Sequence, residues 1–502
     1  MPAKLGQIDF GEDDANVEHF QAFRSSVEPA YVRSFVNINN DDYKKIKDGR
    51  KWIVYGLKGT GKTAILRNIS ETKGVPYEYV VFRDEIDTEE DLSQEAFPFV
   101  INESEIHNKR HYIHIIKRII LSIIISKYDT SSEMVKSLEL GLEDAGALKN
   151  LVKKLAGRSA TSVLDEVFNS VSDVFSALKI DASKLLPDGI SVNAAKLLKR
   201  QNNRMIEEFI LSYKKDAKPI DIYIDEVHFS YKDENSYRSD AALVRDIIKA
   251  ADIINNRFLK ERIDITVYVG IRAEFLEHPI IRSAEIMHVV NASAQQMLWS
   301  TYRFDDFHPC FEVIAARINS SCGTKMRGRD VRKTYLPNMS ADQFLRGVYG
   351  KPRDSIRFFK LAGQMYPEKV TLDNKDQAAV YRAYSNLAWA DMQASISSFL
   401  PEASVNRLVA LLKGMAANAF NTNITVEDAA EQLRDVWELG DVGSSTHDFD
   451  HFMHVLYVIG LYQTKFDAPN GQVIYHSYYR GNFNPSSDAT FLLSDAVIRH
   501  FA

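Results

Sequence analysis

Cysteine is nearly missing from this 502-residue chain, which has only Cys310 and Cys322. They stand twelve apart, outside any CxxC pattern and without a supporting histidine cluster. That excludes a disulfide framework and argues against a metal centre; two buried thiols in a reducing cytosol are the expectation. Long hydrophobic runs are missing too. The most apolar stretch, Ile119-Ile120-Leu121-Ser122-Ile123-Ile124-Ile125, is flanked by Lys117, Arg118 and Lys127. It falls far short of the roughly 20 residues that cross a bilayer and reads as a buried helix. Positive charge is not in excess: 62 Lys and Arg against 68 Asp and Glu leave a formal net charge of -6. The chain as a whole therefore lacks the basic surface of a nucleic-acid binder. Met1 to Ala15 carries no signal-peptide core and turns acidic at Glu12-Asp13-Asp14, so a cytoplasmic protein without membrane association is expected. There is no internal repeat and no low-complexity tract.

What is present is a 45% hydrophobic, 26% charged composition, ordinary for a soluble chain with roughly two to four domains. Within it, Gly56-Leu57-Lys58-Gly59-Thr60-Gly61-Lys62-Thr63 fits G-x-x-x-x-G-K-[ST], the P-loop or Walker A pattern. The glycines permit backbone angles and a close approach that a Cβ forbids. The loop amides, with the start of the following helix, form an anion nest. Lys62 is suited to the β- and γ-phosphates, and the Thr63 hydroxyl to Mg²⁺. The flanks agree with that use. Lys51-Trp52-Ile53-Val54-Tyr55 reads as a buried strand, and Thr63 to Ile69 continues as a helix with Ala64, Ile65, Leu66 and Ile69 apolar.

Strand patterns recur at Pro76–Phe82, Ile220–Ile224 and Ile263–Val269, alternating with helical ones such as Asp240–Leu259. This argues an α/β fold, a P-loop NTPase core with a parallel sheet. We divide the chain into an N-terminal helical leader (1–45, with helices near 16–26 and 41–47) and an ATPase core (46–295). The core carries a helical insertion at about 87–215, within which 130–195 has few core-like runs. After about residue 296 no further strand of the core is expected. Helical patterns near 305–320, 340–348, 352–364 and 374–400 form an α-helical lid (296–400). Helices near 405–416, 425–436 and 449–458, followed by a hairpin turning at Asp467–Gly471, give a C-terminal winged-helix order (401–502).

Ile220-Asp221-Ile222-Tyr223-Ile224-Asp225-Glu226 is an apolar strand ending in two acids, which a P-loop ATPase needs beside its loop. Asp225 is assigned to Mg²⁺ and Glu226 to the attacking water; His228 reads as a loop histidine. The strand ending Val269-Gly270-Ile271-Arg272-Ala273-Glu274 offers Arg272 to the γ-phosphate, or else to its neighbour Glu274. In Gly350-Lys351-Pro352-Arg353, Pro352 suits a first helical turn. A cation at Arg353 opposes that helix's dipole and calls for a nearby anion; Arg357 is the runner-up. Arg238, Arg245 and Arg282 are loose candidates for an arginine finger. From 402 onward six basic residues face twelve acids, which suits protein contact better than DNA. Tyr475, Tyr478, Tyr479, Phe483 and Phe491 are expected in a core rather than on a sticky surface.

The ensemble resembles the signal-transduction ATPases with numerous domains (STAND) and the related origin-recognition-like AAA+ ATPases. The resemblance is carried by Gly56–Thr63, Ile220–Glu226, Arg272, Gly350–Arg353 and the C-terminal winged-helix pattern, in that order over 46–502. The chain also resembles a bacterial P-loop ATPase family through Phe10-Gly11, Asp14-Ala15, the P-loop and Ile271-Arg272-Ala273-Glu274. Such ATPases often sit in defence or mobile-element loci. The resemblance implies an ATP- and Mg²⁺-dependent switch. Gly56, Lys58, Gly59, Thr60, Gly61, Lys62, Thr63, Ala64 and Arg353 would hold nucleotide, and Thr63 and Asp225 the metal. Glu226, Lys62 and Arg272 would act in hydrolysis, and a homo-oligomer or an effector protein would be the partner. Unlike many STAND proteins, the chain shows no repeat sensor and no separate effector. Two alternatives stand beside the switch. One is a DNA-directed ATPase, favoured by Lys196, Lys199, Arg200 and Arg204; the other is a scaffold with structural ATP.

Overall fold

The computed structural model describes residues 2–37, 39–81, 112–127, 218–225, 234–278, 280–299, 302–397, 400, 402–417, 424–438, 446–467, 473–480 and 487–501, with isolated positions between 203 and 211. Glu226, His228, Phe483, the 130–195 stretch, the Asp467–Gly471 turn beyond Asp467, and Lys196, Lys199 and Arg200 lie outside these residues.

Five parallel strands form the central sheet: β1 (Ile53–Gly56), β2 (Tyr77–Val81), β3 (Ile220–Asp225), β4 (Ile265–Arg272) and β5 (Ala294–Gln296), in the order β2-β3-β4-β1-β5. Every residue of β3 is buried, as expected of a strand covered on both faces. β4 lies between β1 and β3, so the strand ending in Arg272 is inserted beside the P-loop strand. β5 is a correction to the expected four strands. Its sequence, Ala294-Gln295-Gln296, has no apolar run to announce it and is only half-buried. It joins the sheet through backbone pairing with Ile53 to Tyr55, and the Met297 amide extends this by donating to the Tyr55 carbonyl at 2.7 Å.

Helices cover the sheet: α1 (Ala15–Ser25) and α2 (Asn40–Lys47) from the leader, α3 (Lys62–Thr72) after the loop, α4 (Tyr112–Lys127), α5 (Glu234–Lys260) and α6 (Ala284–Ser293). α4 buries Ile113, Ile116, Ile120, Leu121 and Ile124 in the sheet core, as its isoleucine spacing requires. Among the described residues no helix is long and apolar enough to cross a membrane. α5 starts six residues earlier than its apolar pattern suggests. Asn255 of α5 clasps β4 in both directions, donating to the Val267 carbonyl (3.0 Å) and accepting from its amide (2.8 Å).

The remainder is largely helical: α7 (Pro309–Cys322), α8 (Gly328–Tyr335), α9 (Ala341–Gly347), α10 (Pro352–Met365), α11 (Asn374–Ile396), α12 (Glu402–Ala417), α13 (Val426–Glu438) and α14 (Thr446–Val458). β6 (Tyr462–Asp467), β7 (Val473–His476), β8 (Thr490–Leu493) and α15 (Asp495–Phe501) follow. The last strands pair antiparallel in the order β7-β6-β8. α8, β8 and α15 were not expected from the sequence. α15 packs on α11, with Phe501 and His500 against Trp389 at ring distances of 4.9 and 5.4 Å. Tyr478, Tyr479 and Phe491 are core residues, and Cys310 is buried whereas Cys322 is only half-buried, a correction to the pair of buried thiols. Burial pushes the Cys310 thiol up.

The leader belongs to both cores. Leu5, Ile8 and Phe10 sit in the hydrophobic cluster of α7 to α15, and the amides of Leu5 and Gly6 donate to the carbonyls of Lys369 (2.8 Å) and Pro367 (2.9 Å). α1 meanwhile lies on α3. A buried ion pair, Glu18 to Arg317 at 3.0 Å, ties α1 to α7.

Candidate functional site

The loop between β1 and α3 needs its glycines. Gly59 and Gly61 sit at φ of 85° and 89°, where a side chain is strained. A Cβ on Gly56 would meet Thr60 Oγ1 at 2.7 Å and the Met297 carbonyl at 2.9 Å, while nothing approaches that position on Gly61 within 4 Å. Gly56 therefore serves packing, and Gly61 faces open space. Thr60 Oγ1 donates to the Leu57 carbonyl (2.8 Å), and Trp299 Nε1 donates to the Thr60 carbonyl (2.9 Å), so the segment after β5 braces the loop from outside.

Lys58 to Ala64, with Asp225, Arg272, Arg353 and Arg357, line one cavity of about 700 Å³ at the carboxyl ends of the strands, where ligands of open parallel sheets bind. Gly56 lies beneath it. Lys62 Nζ donates to the carbonyls of Gly56 (3.0 Å) and Leu57 (2.9 Å). Burial pushes its ammonium down to about 8, against the pull of Glu274 and Asp225. Such a lysine gains from an incoming polyanion, which restores the charged form.

Asp225 closes β3, 2% exposed. Its Oδ2 accepts a hydrogen bond from Tyr79 (2.8 Å), and its Oδ1 lies over Gly270, where any Cβ would collide with it. Thr63 and Asp225 line the same cavity. One hydroxyl, one carboxylate and substrate phosphates are an oxygen set that fits Mg²⁺. Among the described residues no cluster of three or more His, Cys, Asp or Glu could hold a metal by itself.

Arg272 both lines the cavity and pairs with Glu274, through Nη2 (2.8 Å) and Nε (3.2 Å) to Oε1. Burial alone would raise the Glu274 carboxyl, but Arg272, a backbone hydrogen bond and Lys62 together outweigh it and hold the group below the usual range. The anion that Arg353 calls for is supplied from α11: Arg353 Nη2 donates to Asp391 Oδ2 at 3.3 Å. Arg357 donates to the same oxygen (2.8 Å) and to Asp13 (2.6 Å), and Lys360 pairs with Glu12. The first-turn amide of α10, that of Arg353, donates to the Gly59 carbonyl at 3.4 Å. α10, the leader and the P-loop thus meet at one wall. Of the finger candidates, Arg245 pairs with Asp246, Arg282 is exposed, and Arg238 lies on α5.

Asp391, Asp13, Tyr79 and Arg67 were not anticipated. Only Asp13 had a local signal, the acidic run before α1; the rest become neighbours through long-range folding. Among solved structures, a Walker-type ATPase of Pyrococcus abyssi is similar to the chain, at a TM-score of 0.38 and 12% identity over 94% of this chain and 98% of that one. No protein-family model matches the chain, and no curated protein does. At that score and identity, the nucleotide-site character of the chain rests on its own strand, loop and cavity.

Proposed function

We propose that the chain is an ATP-binding and ATP-hydrolysing switch. The observation that carries this is the convergence of the P-loop, Asp225, Arg272, Arg353 and Arg357 on one cavity beside an inserted β4. The loop amides and Lys62 bind and orient the phosphates, with Lys62 moving from its carbonyl partners to the triphosphate. Thr63 and Asp225 would hold Mg²⁺, which when bound neutralises charge on the β- and γ-oxygens. Arg272 stabilises charge on the transferred group. Arg353 and Arg357 carry the presence of the γ-phosphate to α10. Glu226, next to Asp225, is the residue we assign to orienting the attacking water. We read the C-terminal three helices and small sheet as a winged helix whose acidic balance suits a protein partner or a second copy of this chain. A bacterial defence setting is what the family resemblance implies.

Phosphate release and nucleotide binding test this together. Lys62→Ala should lose tight ATP binding, and Glu226→Gln should bind ATP yet release phosphate at least 100-fold more slowly. Equal turnover by wild type and Glu226→Gln would remove Glu226 from the mechanism. Undiminished ATP binding by Lys62→Ala would sink the P-loop reading.

A further inference from the structure

Behind the metal-side carboxylate lies a buried polar chain that does not line the cavity. Tyr79 on β2 is 7% exposed, and its hydroxyl donates to Asp225 Oδ2 at 2.8 Å. Arg67, on the helix that begins at Lys62, is 4% exposed, and its guanidinium carbon stands 3.5 Å from the Tyr79 ring centroid. Arg67 Nε in turn donates to Asn16 Oδ1 of α1 at 2.9 Å. Asn16 follows Asp13, which holds Arg357 on the other side of the cavity, by three positions.

A cation over a phenol ring is stabilised by the ring's negative face and polarises the O–H toward its acceptor. A carboxylate fixed through one oxygen presents the other in a restricted orientation, and loss of such an outer hydrogen bond typically costs about 10–100-fold in metal affinity. We infer that Tyr79 is a positioning residue for Asp225, supported by Arg67 and Asn16, so that the start of α1 sets the Mg²⁺ affinity of the nucleotide complex. This rests on the Mg²⁺–ATP reading above. It assigns to the leader a role in the metal half of the site as well as in the lid half.

The test is an equilibrium titration with a fluorescent ATP analogue, first in EDTA and then with rising Mg²⁺. Tyr79→Phe keeps the ring under Arg67 and removes only the hydroxyl. It should bind the analogue as wild type does in EDTA, while its Mg²⁺ midpoint rises roughly 10-fold. Asn16→Ala, a milder change farther along the chain, should shift the midpoint in the same direction by less. Asp225→Ala should abolish the Mg²⁺ effect and make Tyr79→Phe silent in the double variant. A Tyr79→Phe midpoint within twofold of wild type overturns the inference, and so does an equal loss of affinity with and without Mg²⁺, which marks a merely structural hydroxyl. A wild-type chain that binds no analogue at all would instead overturn the proposed function.

Discussion

Lys62 shows how a single residue couples the site to pH. Its ammonium, ordinarily near 10.5, is pushed down to about 8 because burial outweighs the pull of Glu274 and Asp225. Between those values the unfolded chain binds more protons than the folded one, so the nucleotide-free protein gains stability as pH rises from about 8 toward 10.5. Nucleotide reverses the sign. A triphosphate favours the charged lysine, so binding at pH 8 takes up about half a proton, and ATP affinity should fall with a slope that approaches tenfold per pH unit from about pH 9 until the bound lysine itself titrates. Calorimetry in buffers of different ionisation enthalpy measures that uptake directly. Affinity independent of pH from 7 to 9.5 would show that Lys62 is not the group that meets the phosphates.

Among the elements, α1 has the sharpest energetic consequence. The Glu18–Arg317 pair is only 6% exposed on either side, and Glu18 also accepts from the Tyr31 amide at 2.5 Å and the Glu12 amide at 2.8 Å. Removing one buried charge strands the other, so Glu18→Ala should cost about 3–5 kcal/mol in a urea titration of the helical part. Replacing both charges with methionine should recover only part of that loss: the stranded charge is gone, but the Tyr31 and Glu12 amides lose their acceptor. A single variant that unfolds at the wild-type urea concentration would contradict the burial of this pair.

Elements with their own local pattern were legible in the sequence. β1 is an apolar run and β3 one interrupted only by Asp221 before its closing Asp225, α4 repeats isoleucine at helical spacing, and the P-loop carries Gly59 and Gly61 where φ turns positive. β5 was not legible, because two glutamines and backbone pairing carry no hydrophobic signal. β8 escaped because its four residues become a strand only against β6. At the site, the loop residues, Asp225, Arg272 and Arg353 were legible and the structure brings them to one cavity. Asp391 was not, since one acid in the C-terminal part of a 23-residue helix looks like any solvated residue until α10 is laid beside it.

At the scale of the whole molecule, Asp391 holds both α10 arginines through one oxygen, while Glu12 and Asp13 hold Lys360 and Arg357. A carboxylate thus engages the same guanidinium groups that we assign to the γ-phosphate. Asp391→Asn should release Arg353, leave Arg357 held by Asp13 alone, and tighten ATP binding several-fold, the equivalent of about 1–2 kcal/mol for a charge-assisted hydrogen bond exchanged for a stronger one. Weaker binding in that variant would mean that Asp391 orients the arginines instead of competing for them. Fluorescence titration at constant ionic strength distinguishes the two, since screening alters exposed pairs.

The seating of Leu5 and Gly6 against Lys369 and Pro367 has a consequence for how the chain comes into being. Leu5 and Gly6 must wait through about 360 further residues of synthesis before their partners exist. Contacts so distant in sequence close late, after the entropy of a very large loop has been overcome. The P-loop can form its turn early from its own neighbours, but the wall built by Asp13, Arg357 and Asp391 cannot. A nascent chain should therefore carry a phosphate nest long before it has an enclosed site, and turnover should begin only when synthesis has passed α11 and the leader has docked.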